Sequence, residues 1–236
     1  MAQVHYPAWK YMHPNIDNDI VVCDLDGVAV NLMDALAEVL FEERGVLLPV
    51  SGISSHDLLQ SQLTEILTES DLNRAIELFY ERAPFERARP HWWMVRHLQA
   101  FLELGGHVIF LTARATHLEE PTVNWLKRYG LLGRGLKSEL VMSSAKGLKV
   151  KNLILDRQRP DLVIHIFEDS PKNLRDITLC MDALQGVGNT YFHYRTYMPR
   201  RPWNHALERR KHHIEGHPSL RVYIDSEIPR IFDLGG

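Results

Sequence analysis

Residues 20–29, IVVCDLDGVA, constrain this chain more than any other stretch. Ile20, Val21, Val22 and Cys23 form an apolar run with the length and β-branched content of a buried strand. The run breaks at Asp24, a second carboxylate follows at Asp26, and Gly27 gives the turn behind them its freedom. A strand of a parallel sheet delivers its C-terminal residues to the edge where open α/β sheets bind ligands, so both acids are expected at the mouth of a crevice. Paired carboxylates there suit a divalent cation together with nucleophilic or acid–base work; Asp and Gly after a strand also suit a plain tight turn.

Three further segments weigh against the plain turn. Residues 107–114, HVIFLTAR, are a second apolar strand that ends in the hydroxyl of Thr112. Residues 162–169, LVIHIFED, are a third, ending in Glu168 and Asp169 and followed by Ser170, Pro171 and Lys172. Between them Lys146, Lys149 and Lys151 open an apolar stretch read as a helix. An acid pair, a hydroxyl, a lysine and a second acid pair, in that order, resemble the four motifs of the haloacid dehalogenase (HAD) superfamily of phosphotransferases. As an architecture the resemblance covers roughly residues 19–194, and its specificity lies in the four motifs together.

The whole chain is compatible with that resemblance. Its 236 residues suffice for one α/β domain with an insertion and a sizeable core. A formal charge of -3 exerts no global pull toward nucleic acid or an anionic surface. Cys23 and Cys180 lie in apolar surroundings and read as buried thiols in a reducing compartment, not as a disulfide framework. The first ten residues lack the apolar core of a signal peptide, and no apolar run approaches a membrane span, so a cytoplasmic protein without a membrane partner is expected.

Along the chain, residues 32–44 carry apolar positions at helical spacing and stop at Gly45. Two more helices are expected near residues 57–68 and 71–82, the second capped by Ser70 or Asp71. Neither is flanked by strand signals, so residues 31–89 read as a small helical insertion after the first strand, placed like the cap of HAD enzymes. Strand–helix alternation resumes at Pro90, with helices at 91–104, 119–129, 148–157 and 171–184 and strands at 107–112, 140–142, 162–167 and 187–194. The expected organisation is a HAD-like core of residues 19–30 and 90–194, a cap of residues 31–89, and a basic, aromatic extension of residues 195–236. The fold class is α/β: a HAD-like parallel sheet with helices on both faces and a small helical cap after the first strand.

The resemblance assigns roles residue by residue. Asp24 takes the place of the nucleophile that becomes an aspartyl-phosphate, and Asp26 that of the acid–base partner. Because that second position is Asp, and not the Thr of the superfamily's transport ATPases, the resemblance implies hydrolysis of a phosphomonoester. Thr112, with the backbone N–H of Ala113, would hold a phosphoryl oxygen. Lys151, in KNLIL, looks most like the motif lysine, with Lys149 and Lys146 as the other candidates. Asp169, Asp24 and Asp26 (through its main-chain carbonyl) would ligate Mg²⁺, and Glu168 would act on the metal through water or orient the lysine.

Substrate class rests on pattern. Residues 122–126, TVNWL, following LTAR, resemble small 5′-nucleotidases and 5′(3′)-deoxyribonucleotidases, as does the aromatic and basic stretch 79–94. There Arg87 and Arg89, with Arg114 from LTAR, are expected to contact a nucleotide, while Trp92 and Trp93 either stack on a base or pack in the hinge. Residues 195–213 interleave Arg195, Arg200, Arg201, Arg209, Arg210 and Lys211 with aromatics, as a single-stranded nucleic acid would require; the plain alternative is an extension that packs Trp203 and Tyr197 on the domain. The expected function is a Mg²⁺-dependent phosphomonoesterase of (deoxy)nucleotide monophosphates. Its alternatives are a polynucleotide 3′-phosphatase and a non-catalytic HAD-like binding module.

Overall fold

The computed structural model describes residues 16–52, 67–157, 162–186, 192–204 and 220–223. Among these, β1 (Asp19–Cys23) leads into a tight loop, then β2 (Val30–Asn31) and helix α1 (Leu32–Arg44). Helices α2 (Glu69–Leu78) and α3 (Arg82–Arg87) precede β3 (Arg89–Pro90) and α4 (Trp92–Glu103). The remaining elements are β4 (His107–Thr112), α5 (Glu119–Arg128), β5 (Ser138–Met142), α6 (Lys146–Arg157), β6 (Leu162–Phe167), α7 (Pro171–Gly186), β7 (Phe192–Pro199) and β8 (Leu220–Tyr223). The described strands of the main sheet run in the order β5-β4-β1-β6-β7-β8, every pair parallel.

Alternation along the central strands feeds two cores. Val21, Cys23, Val108, Phe110 and Phe167 face one side, where they pack with Val95 and Leu98 of α4 and Trp125 of α5. Ile20, Val22, Ile109, Leu111, Ile164 and Ile166 face the other, against Val150 and Ile154 of α6 and Leu174 and Ile177 of α7. Burial on both faces explains why these strands read as continuous apolar runs. Because β1 has β4 on one side and β6 on the other, the chain reverses its direction of winding at β1, and a crevice opens at the carboxyl ends of these three strands.

The insertion leaves and rejoins the core through one antiparallel pair, Val30 with Pro90 and Asn31 with Arg89. Its helices pack Leu36, Leu40, Leu72, Ala75 and Leu78 into a third core of their own. The helix expected over 71–82 is α2, which stops at Leu78, and α3 is a further helix within the stretch expected as a loop. Thr68, and neither Ser70 nor Asp71, caps α2, its hydroxyl accepting the Asp71 N–H at 3.2 Å. The helix expected at 57–68 falls almost wholly outside the described residues. No helix among the described residues is long and apolar enough to cross a membrane.

The C-terminal part departs furthest from expectation. The last strand, expected at 187–194, runs Phe192–Pro199, and β8 adds a further parallel strand beside it. Thr196, Tyr197 and Met198, assigned from the sequence to an extension, are buried in the sheet.

Candidate active site

Strand register builds the centre of the crevice. Cys23 of β1 lies beside Phe167 of β6, and the Asp24 N–H continues the ladder to the Phe167 carbonyl at 2.9 Å. Asp24 and Glu168, each the next residue on its strand, therefore stand side by side. Lys146 joins them: its Nζ lies 2.8 Å from Asp24 Oδ1 and 2.7 Å from Glu168 Oε2. The other Glu168 oxygen accepts the Ser170 N–H at 3.1 Å and the Asn173 amide at 3.2 Å. Asp169 completes the group, with Asp24, Glu168 and Asp169 each offering an oxygen within 4.8 Å of the others and all three buried.

The lysine that meets these acids is Lys146 and not Lys151. Lys146 opens α6 on the buried stripe that continues through Val150 and Ile154, whereas Lys149 is exposed and Lys151 half-buried beside that stripe. Gly147 permits the approach, since a Cβ there would sit 2.6 Å from the Asp176 carbonyl oxygen of α7. The absence of a side chain at this position lets α6 lie close on α7 and carries Lys146 into the site.

Burial raises the Asp24 carboxyl from 3.8 to about 7; neighbouring Glu168 pushes the same way and Lys146 opposes both. Glu168 is likewise pushed up by burial, against the pull of Lys146. For Lys146, burial alone would lower the pKa, but Asp24 and Glu168 outweigh it and hold the ammonium above its ordinary range. Three buried carboxylates against one ammonium leave an excess of negative charge. The donors are hard oxygens, the set that suits Mg²⁺ or Ca²⁺ better than softer metals, so these residues fit a divalent cation. The Asp26 carboxyl is outside this cluster, so the part expected of Asp26 as a ligand stays with its main-chain carbonyl.

Arg114 takes hold of Asp26. Its Nε and Nη2 donate to the two Asp26 oxygens at 2.9 and 2.5 Å, and its Nη1 donates to Thr122 Oγ1 at 2.9 Å. The guanidinium lies 4.3 Å over the Phe85 ring of α3, so an arginine expected to contact substrate is instead 2% exposed and orients the second aspartate. Asp26 itself remains 30% exposed. Thr112 ends β4 at the same sheet edge, buried, with its hydroxyl accepting the Arg114 N–H at 3.3 Å, and Ala113 behind it is exposed.

Two other expected contacts lie elsewhere. Arg87 pairs with Glu42 and Arg89 with Glu38, both on α1 and in solvent. Thr122 and Trp125 of the TVNWL segment are buried and serve Arg114 and the core. By contrast Trp92 and Trp93 are half-exposed, and Trp92 stands edge-on to Tyr129 at 5.7 Å.

The plain alternative, in which Trp203 and Tyr197 pack on the domain, holds, and the segment after β7 also forms a clasp on the acid-bearing loops that the sequence does not announce. Trp203 Nε1 donates to Asp169 Oδ2 at 2.8 Å, Asn204 Nδ2 to the Asp169 carbonyl at 3.2 Å, and Arg201 Nε to the Gly27 carbonyl at 2.6 Å. Arg201, counted among the cations of a nucleic-acid surface, is therefore buried in the loop that follows β1. Arg209, Arg210 and Lys211 lie outside the described residues. No local pattern announces the clasp, because its partners are far away in sequence.

Neither a family model nor a curated protein matches the chain. Solved structures do. A haloacid dehalogenase-like family hydrolase from Streptococcus pneumoniae superposes with a TM-score of 0.56 at 14% identity, over 91% of this chain and 98% of that one. A HAD family hydrolase from Deinococcus radiodurans R1, with bound phosphate and sodium, gives 0.58 at 14% identity over 93% and 96%. A subfamily IA HAD-superfamily hydrolase from Geobacter sulfurreducens gives 0.53 at 14% identity over 92% and 96%. The shared feature is the fold: this chain has the α/β fold of HAD-like hydrolases.

Proposed function

We propose that this protein is a Mg²⁺-dependent phosphomonoesterase that transfers the phosphoryl group to Asp24 and then to water. One observation carries the reading: the buried Asp24–Lys146–Glu168 chain with Asp169 beside it, at the carboxyl ends of adjacent parallel strands. Buried ion pairs are a weak source of stability, and carboxyls with raised pKa values in a crevice mark sites of chemistry.

An Asp24 oxygen attacks phosphorus as the bond to the leaving alkoxide breaks, and Asp26 gives that alkoxide its proton. Asp26 then takes a proton from water, whose oxygen attacks the aspartyl-phosphate, releasing inorganic phosphate and the Asp24 carboxylate. Lys146 pulls the Asp24 pKa down against burial and Glu168 and offsets charge on the transferring group, while Arg114 fixes the Asp26 carboxyl. Thr112 and the Ala113 N–H supply donors at the strand end. Asp24, Asp169 and the Asp26 carbonyl would hold Mg²⁺, with Glu168 behind Lys146; when bound, it supplies positive charge to the phosphate oxygens and relieves carboxylate repulsion.

A nucleoside monophosphate is the proposed substrate class. Support comes from the resemblance of the stretch around LTAR to nucleotidases and from the half-exposed Trp92 and Trp93 next to the hinge strand β3. The test is a phosphate-release screen with Mg²⁺ over nucleoside 3′- and 5′-monophosphates, sugar phosphates and 3′-phosphorylated oligonucleotides. Nucleoside monophosphates should show the highest kcat/KM, and EDTA should remove the activity. Release from none of these classes overturns the phosphatase reading, and preference for a sugar phosphate or oligonucleotide overturns the substrate class alone.

A further inference from the structure

We propose that Trp203 is the positioning residue of the cation site, its indole N–H fixing the Asp169 carboxylate and its ring anchoring that contact to the cap. The inference rests on the metal-dependent reading above and names a residue outside the four motifs.

Four contacts converge on one short segment. Trp203 reaches the Asp169 side chain, Asn204 the Asp169 carbonyl, and Arg201 the Gly27 carbonyl, while the Arg201 N–H donates to Asn204 Oδ1 at 2.8 Å and closes the segment on itself. Residues 201–204 thus tie the loop after β1 to the loop after β6, the two loops that carry the acids. Gly27, at φ +79°, makes room for this: a Cβ there would lie 2.2 Å from Asp169 Oδ2 and 3.0 Å from Trp203 Cζ2. The indole also packs against the cap core.

The chemistry favours support of the metal ligand. A carboxylate has about four acceptor sites, so an oxygen that takes one N–H still has lone pairs for a cation. Ligating carboxylates are commonly held by such an outer hydrogen bond, and its loss costs about 10–100-fold in metal affinity. Asp169 sits among buried acids that repel it, and a fixed donor holds it there. The opposing possibility is competition, in which the N–H occupies the direction the cation needs.

Calorimetric titration of the full chain with Mg²⁺, wild type against Trp203→Phe, separates these. The phenyl ring keeps most of the packing and removes the N–H, so affinity should fall about tenfold. In ¹⁵N-labelled wild-type protein, the indole cross-peak that Trp203→Phe deletes should shift with Mg²⁺ and saturate at the calorimetric midpoint. Equal or tighter binding by the variant, or a stationary cross-peak while Mg²⁺ heat is observed, overturns the inference and leaves the phosphatase reading intact. If the variant fails to fold, the indole cross-peaks of the wild type decide it: the inference requires one that shifts with Mg²⁺ and saturates at the calorimetric midpoint, and none shifting overturns it. No Mg²⁺ heat with the wild type overturns the metal-dependent reading, and this inference with it.

Discussion

Two sets of ion pairs among the described residues, one on the cap and one at the strand ends, have opposite energetics. On the cap, Arg74 gathers Glu43, Glu77 and Glu81, and Arg87 and Arg89 reach Glu42 and Glu38. At the strand ends, Lys146 gathers Asp24 and Glu168. The chemistry of the pairs is the same, but Arg89 is 76% exposed and Lys146 only 3%. In water each partner keeps most of its solvation and the pair contributes little. In the interior both partners lose solvation, and the attraction must first offset that loss. The raised carboxyls of Asp24 and Glu168 record an incomplete offset. A surface network of this kind shapes a cap, whereas charges held against their own desolvation belong to a site.

The sharpest way to break this contrast is Asp24→Asn. The amide has the same shape but cannot attack phosphorus, so kcat should fall by on the order of 10³ or more while the fold persists. Phosphate release at a near wild-type rate by a purified variant would remove Asp24 from the chemistry and with it the reason for burying the acids.

Lys146→Met tests the buried set from its cationic side. Removing the one ammonium leaves Asp24 and Glu168 uncompensated, a change that costs about 3–5 kcal/mol in stability when a buried pair is broken. Turnover should be lost as well. Lys151→Met, from the lysine that the sequence pattern favours, should alter neither stability nor kcat/KM. Calorimetric unfolding and phosphate release on both variants read the outcome, and a larger effect at Lys151 would return the role to the motif as first read.

A smaller effect is expected in the pH dependence of the metal-free protein. The Asp24 carboxyl titrates near 3.8 when unfolded and near 7 when folded. Between those values the folded state alone holds the proton, so wild-type stability falls as pH rises through this window and is level above it. Asp24→Asn has no such proton to lose. In EDTA the variant should therefore gain on the wild type from pH 5 to 8, by about 3 kcal/mol at most, while Glu168 still holds Lys146. Urea titrations at several pH values measure the difference, and one that stays constant with pH would remove Asp24 as the titrating group.

The strands and the acids were legible in the sequence because their signals are local. The runs ending at Asp24, Thr112 and Asp169 announce buried parallel strands, and such strands place their last residues at the binding edge. Helix α1 was legible at both ends from spacing and Gly45. Lys146, one of three candidate lysines, ranks behind Lys151 in the sequence because the helix is read from residue 148, beyond it; the stripe Lys146, Val150, Ile154 and the tight Gly147 hold the signal. Residues 195–199 open with Arg195 and read as the start of a basic extension, yet pairing of the strand with β6 runs on to Tyr197 and buries Thr196 and Tyr197. Arg87 and Arg89 were read as substrate contacts because no helical period links them to their partners on α1, set by tertiary packing. The same holds for Trp203 and Asp169.

The smallest expected effect lies on the cap. Arg87 and Arg89 resemble substrate contacts in sequence, but their guanidinium groups meet Glu42 and Glu38 in solvent. If these pairs only decorate the outer side of the cap, Arg87→Ala combined with Arg89→Ala should leave the melting temperature and the KM for the best substrate unchanged. Substrate capture would predict otherwise, because each arginine would leave its glutamate for the phosphate or base. The double variant would then raise KM, and Glu38→Gln with Glu42→Gln would lower it by freeing both arginines. Measuring KM for the two double variants beside the wild type decides between decoration and capture. Opposite shifts in the two variants would move these arginines into the site and end the division between a cap that carries charge at no gain and a strand edge that uses it.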